Sequence, residues 1–223
     1  MRLLIEARSV AAKDLRIEVR GRYGLAAILP FAATVLVAFG LAVGPGRTLL
    51  QQTAPGLLWL AVLFASVLAF RRAYAVEGED GALEGLVLAP IDKAAVFVGK
   101  AAAVAAQLVA LEVVVVAFVA LLFDVSLFQR PGVLVAAFVL GTVGLAAVGS
   151  LFGVLGESAR SLEALIPLLV LPLAVPVLIA GVRATAVAAG GSGAAATWLG
   201  VLAAFDAVVL AVGMLVYGQL LED

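Results

Sequence analysis

The sequence predicts an all-α polytopic membrane protein: six transmembrane helices preceded by an amphipathic helix lying on the membrane surface. Three observations lead there. Hydrophobic residues make up 65% of the chain and its mean hydropathy is +1.23, more hydrocarbon than a water-exposed surface accommodates. The apolar residues gather in six long runs rather than spreading evenly. The charged residues, 13% of the chain, lie mostly between those runs.

A helix needs about 20 apolar residues to cross roughly 30 Å of hydrocarbon. By that measure spans are predicted at 24–43, 54–70, 101–123, 132–155, 162–182 and 194–221, within one transmembrane domain over 1–223. Gln107 and Glu112 interrupt the third span and Asp206 the last. Barrel strands would be about ten residues of alternating polarity, which these runs are not. Residues 1–23 carry nine charges before any apolar stretch, so they are expected to be retained rather than cleaved as a signal.

Within residues 3–20 a helical wheel gathers Leu4, Ala7, Ala11, Leu15 and Val19 on one side. Arg2, Glu6, Lys13, Arg16 and Arg20 fall on the other, with Asp14 and Glu18 at the apolar edge. That pattern suits a helix lying among lipid headgroups, where each basic residue contributes about 1 kcal/mol near anionic lipid. Basic residues also set the orientation. Arg2, Arg8, Lys13, Arg16, Arg20, Arg22, Arg71, Arg72, Lys93, Lys100 and Arg160 share one side, against Arg47, Arg130 and Arg183 on the other. Both termini and the 71–100 loop are therefore predicted to be cytoplasmic.

The composition excludes most chemistry. There is no His and no Cys, and Met occurs only at positions 1 and 214, so the usual ligands of zinc, copper and haem iron are missing. Tyr23, Tyr74 and Tyr217 are the residual candidate iron ligands. Ser-His-Asp and Cys-His machinery is impossible within this chain. No G-x-x-x-x-G-K-[ST] loop occurs, since Gly99-Lys100 is followed by Ala101. The chain is expected to be non-catalytic, with no cofactor or metal of its own, and any ATP is hydrolysed by another subunit.

The 71–100 loop is the one long hydrophilic segment. Asp80 or Gly81 caps a predicted helix, Glu84 sits in its first turn, and Leu83, Leu86 and Val87 share one face before Pro90 ends it. So short a helix is marginal alone and needs a surface to dock on, either beneath its own bundle or in a groove of an ATPase subunit. Inside the membrane, Pro167, Pro172 and Pro176 predict a kinked fifth span, read either as ordinary bending or as a gate or partner-docking surface on the periplasmic half. No second proline cluster matches it, which argues against an inverted-repeat carrier. Glu112 and Asp206 each carry an insertion cost of about 2.5 to 3.5 kcal/mol and are expected to face the bundle interior, for structure or for transport. Gly149 with Gly153, and Gly40 with Gly44, have the G-x-x-x-G spacing of close helix packing, expected within the chain before between protomers.

The segment Asp80-Gly81-Ala82-Leu83-Glu84-Gly85-Leu86-Val87-Leu88-Ala89-Pro90, followed by Gly99-Lys100, resembles the cytoplasmic loop of ABC-2 type permeases. More narrowly, Ala54-Pro55-Gly56-Leu57-Leu58-Trp59 and Leu171-Pro172-Leu173-Ala174-Val175-Pro176-Val177-Leu178-Ile179 resemble the CcmB family, the permease subunit of the cytochrome c maturation exporter. Ala82 and Gly85 depart from the polar residues expected at those positions. The resemblance implies a multi-pass protein of the bacterial inner membrane, a second copy of the chain, a CcmA-like ATPase, CcmC-like and CcmD-like neighbours and a CcmE-like haem chaperone, with lipid around it and no nucleic acid. Haem is then the cargo of the complex or is released on its chaperone at the periplasmic side. The alternatives are an ABC-2 type permease for a lipid or glycan, and a proton-coupled carrier working through Glu112 and Asp206.

Overall fold

The computed structural model describes residues 2–21, 24–79, 91–158 and 166–222, all of them helical apart from short connections, with no strand among them. The helices are α1 (Arg2–Gly21), α2 (Gly24–Val43), α3 (Arg47–Glu79), α4 (Lys93–Phe123), α5 (Pro131–Ser158), α6 (Ile166–Ala188) and α7 (Ala195–Glu222). Five of them, α3 to α7, are long and apolar enough to cross a membrane. The sixth predicted span is α2, 20 residues long, whose Ile28–Val43 part is apolar.

The helices extend beyond the predicted spans. The second span was expected at 54–70, but α3 starts at Arg47 and continues to Glu79. The third was expected from Ala101, but α4 starts at Lys93. The described helical parts of the 71–100 loop, 71–79 and 93–100, continue α3 and α4, because leaving hydrocarbon does not end an α-helix whose backbone bonds are internal. At 1.5 Å per residue α3 is about 50 Å long and projects well beyond the apolar slab. The fifth span was expected at 162–182, yet α6 runs from Ile166 to Ala188 and carries Arg183 within it, over the Trp198 ring at 6.0 Å. Pro55 does not open a span either; it lies two turns inside α3.

In the bundle α5 is central, packed against α3, α4, α6 and α7, while α2 lies outside against α3 and α4, and α1 crosses α4. Large rings seat in notches left by glycine. Trp59 of α3 lies between Gly141 of α5 and Gly181 of α6: a Cβ on either would come within 2.7 Å of the indole ring. The same ring stacks on Phe138 at 5.3 Å, and its Nε1 donates to Thr185 Oγ1 at 2.9 Å. Phe70 fills the notch at Gly149, Phe97 that at Gly213, and Phe123 that at Gly40. In lipid such close van der Waals fits replace the hydrophobic drive that organises soluble cores.

One end of the bundle gathers the α2–α3, α4–α5 and α6–α7 connections. Gln51 Nε2 donates to the Asp124 carbonyl at 2.7 Å, Arg47 pairs with the Asp124 carboxylate, and Arg130 N donates to the Ala188 carbonyl at 2.9 Å. These contacts tie together the three loops that the basic-residue count places outside the cell. The opposite end holds α1, the end of α3 and the start of α4.

Candidate functional site

The predicted coupling residues Asp80, Gly81, Leu83, Glu84, Leu86, Val87 and Pro90 lie outside the described residues. What holds one side of that segment is well defined. Asp92 has extended backbone (φ −61, ψ 124), and its carboxylate accepts from Ala94 N at 2.9 Å, the N-cap that starts α4. Asp92 N in turn donates to Glu6 Oε2 of α1 at 3.1 Å, and Glu6 Oε1 accepts from Arg2 Nε at 2.8 Å. The Arg2 hydrogen bond, then the Asp92 amide, hold the Glu6 carboxyl below its usual range. One α1 side chain thus grips the point where the 80–90 segment enters α4.

A second contact fixes α1 along α4. A Cβ on Gly99 would fall 2.6 Å from the Ala7 carbonyl oxygen and 2.7 Å from Val10 Cβ, so only glycine lets the helices approach this closely. Ala7 and Val10 are buried there. Leu4, on the side predicted to face lipid, is exposed, as are Ile5 and Ile17. The docked side instead includes Asp14, whose Oδ2 lies 3.8 Å from Nζ of the buried Lys100 and whose Oδ1 lies 3.1 Å from Lys13 Nζ. Fit against a glycine and a buried cation, rather than summed hydrophobicity, chooses which face docks.

The intramembrane carboxylates are both interior, as their insertion cost requires. Glu112 of α4 accepts from Thr142 Oγ1 of α5, with its two oxygens at 2.8 and 2.7 Å. Asp206 of α7 is buried against the other side of α5, at Gly144, where a Cβ would come 2.6 Å from Oδ1. Neither Asp206 oxygen has a hydrogen-bond partner among the described residues. Thr142 and Gly144 are two residues apart, about 3 Å along the helix axis, so the two carboxyls flank α5 at one level.

The remaining predicted positions scatter. Gly149 is occupied by Phe70 of the same chain, an intramolecular contact, and Gly153 is buried. Pro167 falls in the first turn of α6 and Pro172 and Pro176 inside it. All three lie in the half of α6 nearer α1, not in the far half where a gate was expected; Arg130 bonding to Ala188 puts the other end of α6 at the outer loops. Tyr217 is fully buried beside Phe97, with ring centroids 5.4 Å apart. Tyr23 lies outside the described residues. Sequence reasoning missed Thr142, Thr185 and the Glu6–Asp92 link. A lone hydroxyl in the middle of an apolar run was a usable signal for Thr142; nothing in the sequence pairs Glu6 with a residue 86 positions away.

Residues 5–222 match the family profile described as CcmB protein. This chain belongs to the CcmB family. Its CcmB relatives include heme exporter protein B of Rhodobacter capsulatus, 36% identical over 186 residues, which is 78% of this chain and 79% of that protein. Heme exporter protein B of Paracoccus denitrificans is 35% identical over 196 residues, 84% of each chain. That of Bradyrhizobium diazoefficiens is 30% identical over 203 residues, 90% of each. The CcmB match runs through both the α1–α4 junction and the Glu112–Asp206 level, so the two polar features sit within the family region rather than in an appended segment.

Proposed function

We propose that this chain is the haem-export permease subunit of an ABC complex for cytochrome c maturation in the bacterial inner membrane. ATP is hydrolysed on a separate CcmA-like subunit, and the work serves haem export or the release of a haem-loaded CcmE-like chaperone at the periplasmic side. The observation that carries this reading is the family match over almost the whole chain to proteins named heme exporter protein B. The absence of His, Cys and a phosphate-binding loop from the sequence agrees with a subunit that leaves iron ligation to CcmC-like or CcmE-like partners and nucleotide chemistry to the CcmA-like subunit, with a second copy and a CcmD-like protein completing the assembly.

The coupling step follows from the α1–α4 junction. An ATPase pressing on residues 80–90 moves Asp92, and Asp92 is bonded to both Ala94 and Glu6. Because α1 is seated on Gly99 without slack, the push is delivered to α4 as a whole rather than absorbed by a frayed end. A single 31-residue helix then carries it to Glu112 and, through Thr142, to the central α5.

The test is a mild-detergent purification of the full chain from its own membranes, with mass identification of retained proteins and haem absorbance on the same sample. An ATPase should be retained, and Glu84→Lys should weaken its recruitment or coupling. Unchanged copurification and unchanged ATPase activity in Glu84→Lys would overturn the coupling role; retention of an ATPase without haem or a haem chaperone would overturn the cargo.

A further inference from the structure

Glu112 is buried, yet it forms the floor of an open groove on the membrane-facing surface of the bundle. The groove runs between α4 and α5, has a volume of about 510 Å³, and is walled by Val113, Val116, Phe128, Val135 and Val139. Val113 and Val135 are 66% and 60% exposed, so nothing among the described residues covers the walls. The groove reaches from the middle of α4 to Phe128 in the outer connection, and all of it is apolar except the one carboxyl. A carboxyl has about four lone-pair sites, and Thr142 brings a single hydroxyl hydrogen to both oxygens. The floor therefore retains acceptor capacity at a depth where no water supplies a donor.

We propose that this groove receives a transmembrane helix of a different membrane protein, one whose apolar ridge carries a single hydrogen-bond donor, hydroxyl, amide or ammonium, at mid-membrane depth opposite Glu112. Acyl chains fit the walls but bring no donor to the floor. A second copy of this chain fits poorly as well. A two-fold pairing centred on the groove sets one concave face against another, so neither copy brings a ridge to the other's floor. Of the mid-span donors that are not buried among the described residues, Thr34 already donates to the Pro30 carbonyl, and the half-buried Gln107 lies about 7.5 Å below Glu112 on the same helix. Shape and hydrogen-bond complementarity thus select a heterologous donor-bearing helix. The proposal rests on the complex-subunit reading only in requiring other membrane proteins nearby, and not on an ATPase.

Photo-crosslinking in native membranes tests it, with a photoreactive residue at Val113 or Val139 of the full chain and a control at Leu215, which is exposed on α7. Both groove positions should give one and the same protein adduct, absent at Leu215, whose captured peptide is a membrane span with a donor at its middle. Glu112→Leu should lower the adduct yield per chain by roughly three- to fifteen-fold, the range expected for one interhelical hydrogen bond, while Glu112→Gln should retain most of it. Ala117→Trp fills the groove without touching the carboxyl and should abolish the adduct, which keeps the test decisive if Glu112→Leu reduces the amount of protein. Adducts to lipid only, to a second copy, or to a span without a donor would overturn the proposal, as would a yield indifferent to Glu112→Leu. An adduct that behaves as expected in membranes lacking the ATPase would separate this interface from the coupling mechanism.

Discussion

Replacing Gly141 with alanine adds one methyl group to the face of α5 that meets Trp59. The new Cβ would stand 2.7 Å from indole Cζ3, far inside contact distance, and the ring has no line of retreat. Gly181 presses its other edge, Phe138 stacks on it at 5.3 Å, and Thr185 holds Nε1 at 2.9 Å. Overpacking costs about 1 to 3 kcal/mol, and a pinned ring belongs at the upper end of that range. Pushing the ring aside also breaks the Thr185 bond, worth about 0.6 to 1.7 kcal/mol between membrane helices. Alanine returns about 1 kcal/mol through its better helix propensity. The net expectation for Gly141→Ala is a loss of about 3 kcal/mol. Gly56→Ala is the matched control: it lies on the same helix as Trp59 and a Cβ there meets nothing within 4 Å, so its effect should be neutral or slightly stabilising. Thermal unfolding of the purified protein in detergent, followed by loss of the monodisperse peak, compares the two. In a Trp59→Phe background the outer ring edge is gone, and the cost of Gly141→Ala should shrink by more than about 1 kcal/mol, the signature of direct coupling. Equal thermal stability of Gly141→Ala and Gly56→Ala, or strict additivity with Trp59→Phe, would overturn the account of the core given above.

Thr142→Val removes the hydroxyl from Glu112 and should lower thermal stability by about 1 to 3 kcal/mol, whereas Thr142→Ser should stay near the parent. Asp206→Asn preserves shape beside Gly144 and removes a buried carboxyl that has no donor among the described residues; its abundance and melting temperature should equal or exceed the parent's, and a marked fall would show that the carboxyl has a partner. Docking of α1 should depend on pH in one direction. The Glu6 carboxyl is lowered from 4.5 in the folded chain, so its contribution is fully present above pH 4.5 and is lost as pH falls through the lowered value. A fluorophore on the exposed Ser9, or protease access to α1, should report release in acid for the parent and little further change for Glu6→Gln.

The helical class and the two buried carboxyls were legible because both follow from one-dimensional facts: run length against the thickness of a bilayer, and the cost of charge inside it. The G-x-x-x-G spacing at 149 and 153 was legible as close packing, but not what would pack there; Phe70 is 79 residues away from Gly149. Helices run past the predicted spans at Arg47, Lys93 and Ala188 because polarity marks where hydrocarbon stops, while the helix continues until its backbone bonds are interrupted. The wheel gathered the apolar side of α1 but not the surface it docks on, because Gly99 and Lys100 are distant in the chain.

By itself the sequence determined that this chain is a helical membrane bundle, that it has no His, Cys or phosphate-binding loop, and that carboxyls at 112 and 206 must be sheltered. Only the tertiary structure decided how they are sheltered: Glu112 by one hydroxyl at the floor of an open groove, Asp206 by a glycine. It also decided that Glu6 clasps the start of α4, that α1 itself seats at Gly99, and that aromatic rings fill the notches at Gly40, Gly141, Gly149, Gly181 and Gly213. The division has a physical cause. Transfer into lipid is a sum over residues and can be read along a chain, whereas contacts shorter than about 4 Å depend on which helices meet and in what register.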